Sequence, residues 1–548
     1  MAKKGGWVTF PFIIAANMGV TFAYGGMVFN LMVYLIQDFN IKKINAAQIF
    51  TVVNGCIQTF PLLGAIIADS FLGCYSVIWI SSIILSLGTL FLVIIASFSK
   101  LKPMKCVKGS DPNLCGTPSS FQLGILYTSL ALVAFGVGVK RYNIGPMGAS
   151  QLNTRKQQTR FFNWYVFTMY LFIGISTISI GYVGGKFGWA WGFAISGAVN
   201  ILGLAVYLSG TRFYRRSKPQ GGSPFVALVR VVVVAIRKRK LSLSEKMEDY
   251  CQEPGIDQDI ITIPSTFFRF FNRAALKLEG ETTPEGLIRN PWRLCTVKEV
   301  EDLKSLIKLL PLWSSAILVN VPLIIQYSST LLQALTMDHH LGSHFQIPPS
   351  SINIFVFIGT CSTIFLLDRF ILPMWEKLNR RPMTLLQRVA IGHVVDIVCM
   401  IVSALVEIKR LNVVKLHNLE NKNDSVVPMS VFWLVPGLVL SGIGEGFHIP
   451  GNFAFNYQEF PAGLKSTSNG IVGLAIGLAF YIGTALIEYV KKGTNWMPDN
   501  INKGRLDNVF WLVGIIGGIN FGYFLVCSYL YEYRKVEEEE ISGDEDFK

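Results

Sequence analysis

The sequence predicts an all-α membrane protein of about twelve transmembrane helices in two six-helix halves. Three observations predict it. Charged residues make up 15% of the 548-residue chain and hydrophobic residues 51%, whereas a soluble chain carries roughly 25% charged residues. The charges cluster between long apolar runs instead of spreading along them. Many of those runs exceed the ~18 apolar residues that let a helix cross a bilayer. A helix in lipid satisfies its own backbone hydrogen bonds, so the all-α class follows from the solvent. The alternating pattern of an outer-membrane barrel is absent.

Spans are expected at roughly 11–36, 46–68, 76–98, 121–147, 161–183 and 189–209, then at roughly 306–333, 350–371, 385–407, 430–455, 466–489 and 507–531. The stretch from Phe10 to Ile36 is too long for a signal-peptide core and reads as the first span. The organisation is a six-helix half over 1–209, a linker over 210–305, a second six-helix half over 306–531 and an acidic tail over 532–548. Many secondary transporters pack two such halves around a central path.

The formal net charge of +14 would hint at nucleic acid in a soluble protein. Here it reads as the Lys and Arg of cytoplasmic loops. Both ends and the linker are then cytoplasmic, the linker carrying Arg212, Arg215, Arg216 and the run Arg237 to Lys240. Lys100, Lys102, Lys105 and Lys108 run against that bias on the expected outside. Asn423 opens a glycosylation sequon in a loop placed outside. Residues 224–240 read as a helix with an apolar face and a basic end, suited either to the membrane surface or to an ordinary linker. Cys106 and Cys115 share one polar loop and could form a disulfide if it is extracellular. No C-x-x-C or other metal spacing occurs, and neither metal nor cofactor is expected.

Ionisable groups at bilayer depth are costly and mark function by default. The exceptions to the uncharged spans are Lys140 and Arg141 in span 4, His393 and Asp396 in span 9, and Glu445 and His448 in span 10. Lys140 follows Gly136-Val137-Gly138-Val139, small residues that permit close helix approach. The first half offers Lys140 no carboxylate at membrane depth, so Glu445 is its expected partner across the two halves. Arg141 reads as a snorkelling side chain near a helix end. His393 and Asp396, three residues apart, could pair on one helix face. Asn17 and Tyr24 of span 1 complete the expected path.

Through Gly64-Ala65-Ile66-Ile67-Ala68-Asp69 with Gly73, Phe161-Phe162-Asn163-Trp164-Tyr165, and Trp292-Arg293-Leu294-Cys295-Thr296-Val297, the chain resembles the plant nitrate and peptide transporter family, a branch of the proton-coupled oligopeptide transporters in the major facilitator superfamily. The resemblance covers nearly the whole chain. It implies the major facilitator fold and puts Lys140 and Glu445 at the family's intramembrane lysine and glutamate. The family's span 1 motif E-x-x-E-[RK], tied to proton coupling, is degenerate: Met18, Thr21 and Phe22 occupy its charged positions. That loss, with Ile36-Gln37-Asp38-Phe39-Asn40 and Ala46-Ala47-Gln48, is similar to the nitrate excretion clade.

The resemblance implies passive efflux of nitrate across the plasma membrane by alternating access, with Lys140 attracting the anion. Chloride or another small anion is the alternative cargo, proton-coupled nitrate or peptide symport the alternative mechanism, and the vacuolar membrane the alternative site. No H-E-x-x-H, suitable G-x-S-x-G or P-loop is present, so no enzyme is expected. The expected partners are the small anion and the bilayer, not nucleic acid.

Overall fold

The structure, a computed structural model, describes the chain except residues 1–3, 42, 105–115, 217–221, 253–263, 284–286, 342–344, 347–348, 422–425, 499 and 534–548. Cys106, Cys115, Asn423 and all but the first residues of the acidic tail fall outside the described residues. Among the described residues eleven helical runs are long and apolar enough to cross a membrane. One of them, Gln48–Ser97, is 50 residues long and holds two of the expected spans. It breaks at Gly73, whose φ of 73° favours glycine.

The helices of the first half are α1 (Phe10–Val28), α2 (Leu31–Gln37), α3 (Lys43–Ile67), α4 (Gly73–Ser97), α5 (Ser120–Ala149), α6 (Arg155–Phe187) and α7 (Trp189–Ser209). The linker contributes α8 (Pro224–Arg237). The second half has α9 (Val297–Thr336), α10 (Ile354–Leu366), α11 (Leu372–Asn379), α12 (Leu385–Leu416), α13 (Val435–Glu459), α14 (Lys465–Gly493) and α15 (Leu506–Leu530). Span 1 is thus interrupted between α1 and α2. The Asn30 amide answers backbone carbonyls there, donating to Gly26 O at 3.0 Å and Thr177 O at 3.2 Å.

Local chemistry starts several helices. Ser119 with Gln122 opens α5, and Thr384 with Gln387 opens α12, each pair a reciprocal capping box. At the start of α9, Thr296 Oγ1 accepts from Glu299 N at 3.2 Å while Glu299 Oε2 accepts from Thr296 N at 3.1 Å.

Two compact units emerge. The first comprises residues 1–227, 311–458 and 462–525, and the second 228–310, 459–461 and 526–548. Within the first, α5 packs on α3 and α4, and α1 on α6 and α7. Contacts of α14 with α3 and α5, and of α10 with α6, join the two halves. Small residues let these helices close up: a Cβ at Gly138 would lie 2.5 Å from Ile57 O of α3. Lys102, one of the lysines opposing the charge bias, pairs with Asp38 at 3.1 Å.

The second unit has its own core. Val231, Val234 and Ala235 of α8 are buried there with Tyr250, Ala274 and Cys295. Arg230 bonds Glu299 at 2.5 Å and Lys238 bonds Glu281 at 2.7 Å. One apolar stripe of the expected amphipathic helix is therefore covered by the linker itself, while Val226, Val229 and Ile236 stay exposed.

The close α3–α5 contact generates a test. Gly138→Val inserts a branched side chain against the Ile57 carbonyl and is expected to destabilise by ~1–3 kcal/mol. Thermal unfolding in detergent should show a lower Tm. Gly124→Ala, where nothing lies within 4 Å of the new methyl, should not lower Tm and should raise it slightly through helix propensity.

Candidate functional site

Lys140 and Arg141 are adjacent on α5, so successive helix positions aim them at different neighbours. Lys140 is fully buried and its Nζ donates to Asn200 Oδ1 of α7 at 2.7 Å. Asn200 Nδ2 in turn donates to Ser82 O at 3.2 Å and Ser86 Oγ at 3.0 Å on α4. The lysine is thus held inside the first half. The Lys140–Glu445 pairing expected from the sequence is absent among the described residues.

Arg141 packs against α1 and α6 instead. It is no snorkelling side chain but a buried one. Its Nε donates to Met169 Sδ at 3.3 Å, and its guanidinium carbon lies 4.9 Å from the Tyr24 ring centroid and 5.5 Å from that of Tyr142. Such cation–π contacts strengthen when desolvated. Its Nη1 is buried without a hydrogen-bond partner. Glu445 of α13 lies within electrostatic range of Arg141 and of the Tyr170 hydroxyl of α6. Its Oε2 is buried and unbonded, and no ion pair joins it to Arg141 among the described residues.

Span 1 supports this centre without charge. Tyr24 OH donates to Asn54 Oδ1 at 3.2 Å, and Tyr142 OH to Gln58 Oε1 at 2.7 Å, both acceptors on α3. Asn17 Nδ2 donates to Tyr165 O at 3.1 Å and Thr168 Oγ1 at 3.0 Å, tying α1 to α6. Its Oδ1 is buried without a partner. Thr21 turns back on Asn17 O at 2.7 Å. Met18 and Phe22 are partly buried and bring no charge to the degenerate motif.

Aromatic layers flank Arg141 and Glu445. Phe29, just past α1, makes edge contacts with Tyr24, Tyr327 and Phe357 at 5.4–6.0 Å. Phe453, two turns past Glu445 on α13, stacks on Phe162 at 6.2 Å and meets Tyr142 and Tyr165. Because α1 and α13 cross in opposite directions, the two layers lie on opposite sides of the charges.

The expected His393–Asp396 pair does not form. Asp396 approaches His448 of α13, with Oδ2 3.8 Å from Nε2. His393 packs on Phe524 of α15 at 4.6 Å. Asp396 Oδ1 occupies the position where a Cβ at residue 444 would sit, so Gly444 leaves room for the carboxylate.

At the ends of the helices, Asp69 accepts from Ser466 N at 3.1 Å and from Thr467 N at 2.8 Å and Oγ1 at 2.7 Å, at the start of α14. A carboxylate at a helix N-terminus is favoured by the helix dipole. Asp368 plays the matching part, accepting from Asn163 Nδ2 at 3.1 Å and Trp164 Nε1 at 3.2 Å on α6. Arg388, fully buried, donates to Asn163 Oδ1 at 2.9 Å. Sequence reasoning missed Tyr170, Phe453, Asn200 and Arg388. An aromatic or amide within an apolar span carries no signal of its own until its neighbour is known.

The sequence profile of the POT family matches residues 75–504. The chain belongs to the POT family. Protein NRT1/ PTR FAMILY 2.7 of Arabidopsis thaliana is 46% identical over 98% of this chain and 95% of its own length. Protein NRT1/ PTR FAMILY 2.6 of the same plant is 45% identical over 99% and 96%. Among solved structures, the POT family transporter PepTSo superposes with a TM-score of 0.63 at 17% identity, covering 96% of this chain and 98% of that one. A peptide transporter POT in complex with sulfate gives 0.57 at 16%, covering 95% and 94%. The fold is that of the major facilitator superfamily, as in these POT structures. The chain is a multi-pass membrane protein of a transporter family whose members move small solutes such as peptides or nitrate.

The Lys140–Asn200 contact in this POT chain yields a double-mutant cycle. Asn200→Leu strips a buried ammonium of its acceptor and is expected to cost ~2 kcal/mol. Lys140→Met/Asn200→Leu should cost less than the sum of the two single changes. Additive losses in thermal unfolding would mean the contact carries no energy.

Proposed function

We propose that this POT-family chain carries nitrate by alternating access as a passive, proton-uncoupled efflux route across the plasma membrane. The observation that carries the reading is Arg141: a buried guanidinium with an unbonded Nη1, set between aromatic layers where the two halves meet. A planar fork of N–H donors suits a planar oxyanion better than a point charge does. Arg141 then binds the anion, and Lys140 with Asn200 adds positive potential behind it. Glu445 is the acidic group within electrostatic range of Arg141, against which an arriving anion competes. Between Phe10 and Gln37 the sequence has no acidic residue, so span 1 supplies no proton carrier. A membrane potential, negative inside, drives an anion outward by about 2.3 kcal/mol per charge per 100 mV, enough without a coupled proton. Chloride shares the charge but not the planar oxygens.

The test is nitrate flux in liposomes under imposed voltage, with and without a pH gradient. Flux is expected to follow voltage and ignore the pH gradient. Arg141→Ala should lower it about tenfold or more, the worth of one charge-assisted hydrogen bond, and Lys140→Met should lower it less. Nitrate accumulation driven by the pH gradient alone would favour symport instead, with Glu445 as the proton carrier. Equal chloride and nitrate flux in the wild type would remove the oxyanion preference.

A further inference from the structure

A second polar constellation lies in the C-terminal half, apart from Arg141. Six of its side-chain atoms are buried without a hydrogen bond: both ring nitrogens of His393 and of His448, and both carboxylate oxygens of Asp396. The 3.8 Å from His448 Nε2 to Asp396 Oδ2 is too long for a hydrogen bond. An ionised carboxylate left so bare in a dry interior is costly. The groups facing Asp396 are His448 and Glu445 from α13 and His393 and Cys399 from its own helix. The neighbouring residues of α9 and α15 at this level, Val319, Pro322, Val513, Gly514 and Gly517, do not titrate.

Polar residues continue from there along the α9–α12 contact. Cys399 Sγ donates to Gln326 Oε1 at 2.9 Å, and Gln326 Nε2 to Ser403 Oγ at 3.1 Å. Further on, Gln333 Nε2 donates to Glu407 Oε2 at 2.6 Å, and Arg410 closes on Glu407 at 2.7 Å. The positions 396, 399, 403, 407 and 410 share one face of α12 at helical spacing. The chain of hydrogen bonds has two gaps, at Asp396 and between Ser403 and Gln333. A small cavity sits at each. The first is lined by His393, Asp396 and Met400, the second by Gln326, Thr330, Gln333 and Ser403. Buried polar groups facing a cavity of water-molecule size are where internal water resides.

We propose that Asp396 and His448 form a proton-binding site in the C-terminal half, fed by a file of internal water along the α9–α12 seam and separate from the anion site at Arg141. A proton on either partner makes the pair neutral overall, and water at the first cavity completes its hydrogen bonds. Each proton that enters passes along the internal water beside Gln326 and Ser403 by hydrogen-bond exchange, with no bond to carbon made or broken.

Infrared difference spectroscopy of the full-length protein in vesicles tests this whatever anion is carried. Wild type minus Asp396→Asn should contain the carbonyl stretch of a protonated carboxyl that shifts in D2O. Wild type minus Cys399→Ser should show the Cys399 S–H stretch replaced by S–D. Gln326→Leu, which plugs the seam with an apolar group, should slow both exchanges at least tenfold while leaving nitrate flux unchanged. An unchanged thermal unfolding transition certifies each variant as folded. A missing Asp396 carboxyl band at every pH where the protein stays folded would overturn the proposal. So would an S–H band that never exchanges, or exchange indifferent to Gln326→Leu.

Discussion

A charge inside a membrane has to be answered by the protein itself, because hydrocarbon offers neither water nor counter-ion. The arrangement of the first compact unit follows from that requirement. Lys140 is answered by the Asn200 carboxamide, Arg141 by aromatic faces, and Glu407 by Arg410. Each answer comes from a specific neighbour, and each fixes how the helices that carry the two groups approach.

Two adjacent cations on α5 thereby take different parts. Lys140 pins α5 to α7 and, through Asn200, to α4, which consolidates one half. Arg141 lies on the Tyr142 ring, which meets Phe453 of the other half. The Asp69 cap on α14 and the Asp368 contacts with α6 also bridge the halves, far from Arg141 and Glu445. Such contacts are hydrogen-bonded yet few, which suits surfaces that must separate and re-form during alternating access.

The glycines of α13 show how backbone shape serves these charges. A side chain at Gly442 would meet the Val356 carbonyl of α10, and one at Gly444 would meet Asp396. Glu445 can therefore sit where α10 and α12 press closely on α13. The surrounding small residues exist for the contact, and the carboxylate is placed by it.

The sequence by itself determined the class, the order of the spans and which side chains had to be special. Apolar length and charge placement follow from the solvent, so they are written locally: the isolated Lys140, Arg141, Asp396 and Glu445 can be read without a partner in view, while the degenerate positions Met18, Thr21 and Phe22 came from the family resemblance. Tertiary structure alone decided who meets whom. Successive residues of a helix point about 100° apart, so a one-residue difference sends Lys140 to Asn200 and Arg141 to the rings of Tyr24 and Tyr142. A three-residue spacing on α12 made His393 look like the companion of Asp396, yet His448 on α13 holds that place. Asn200, Tyr170 and Gln326 looked ordinary because an amide or a phenol in an apolar span acquires its meaning only from the atom packed against it, and that atom lies tens to hundreds of residues away in the chain.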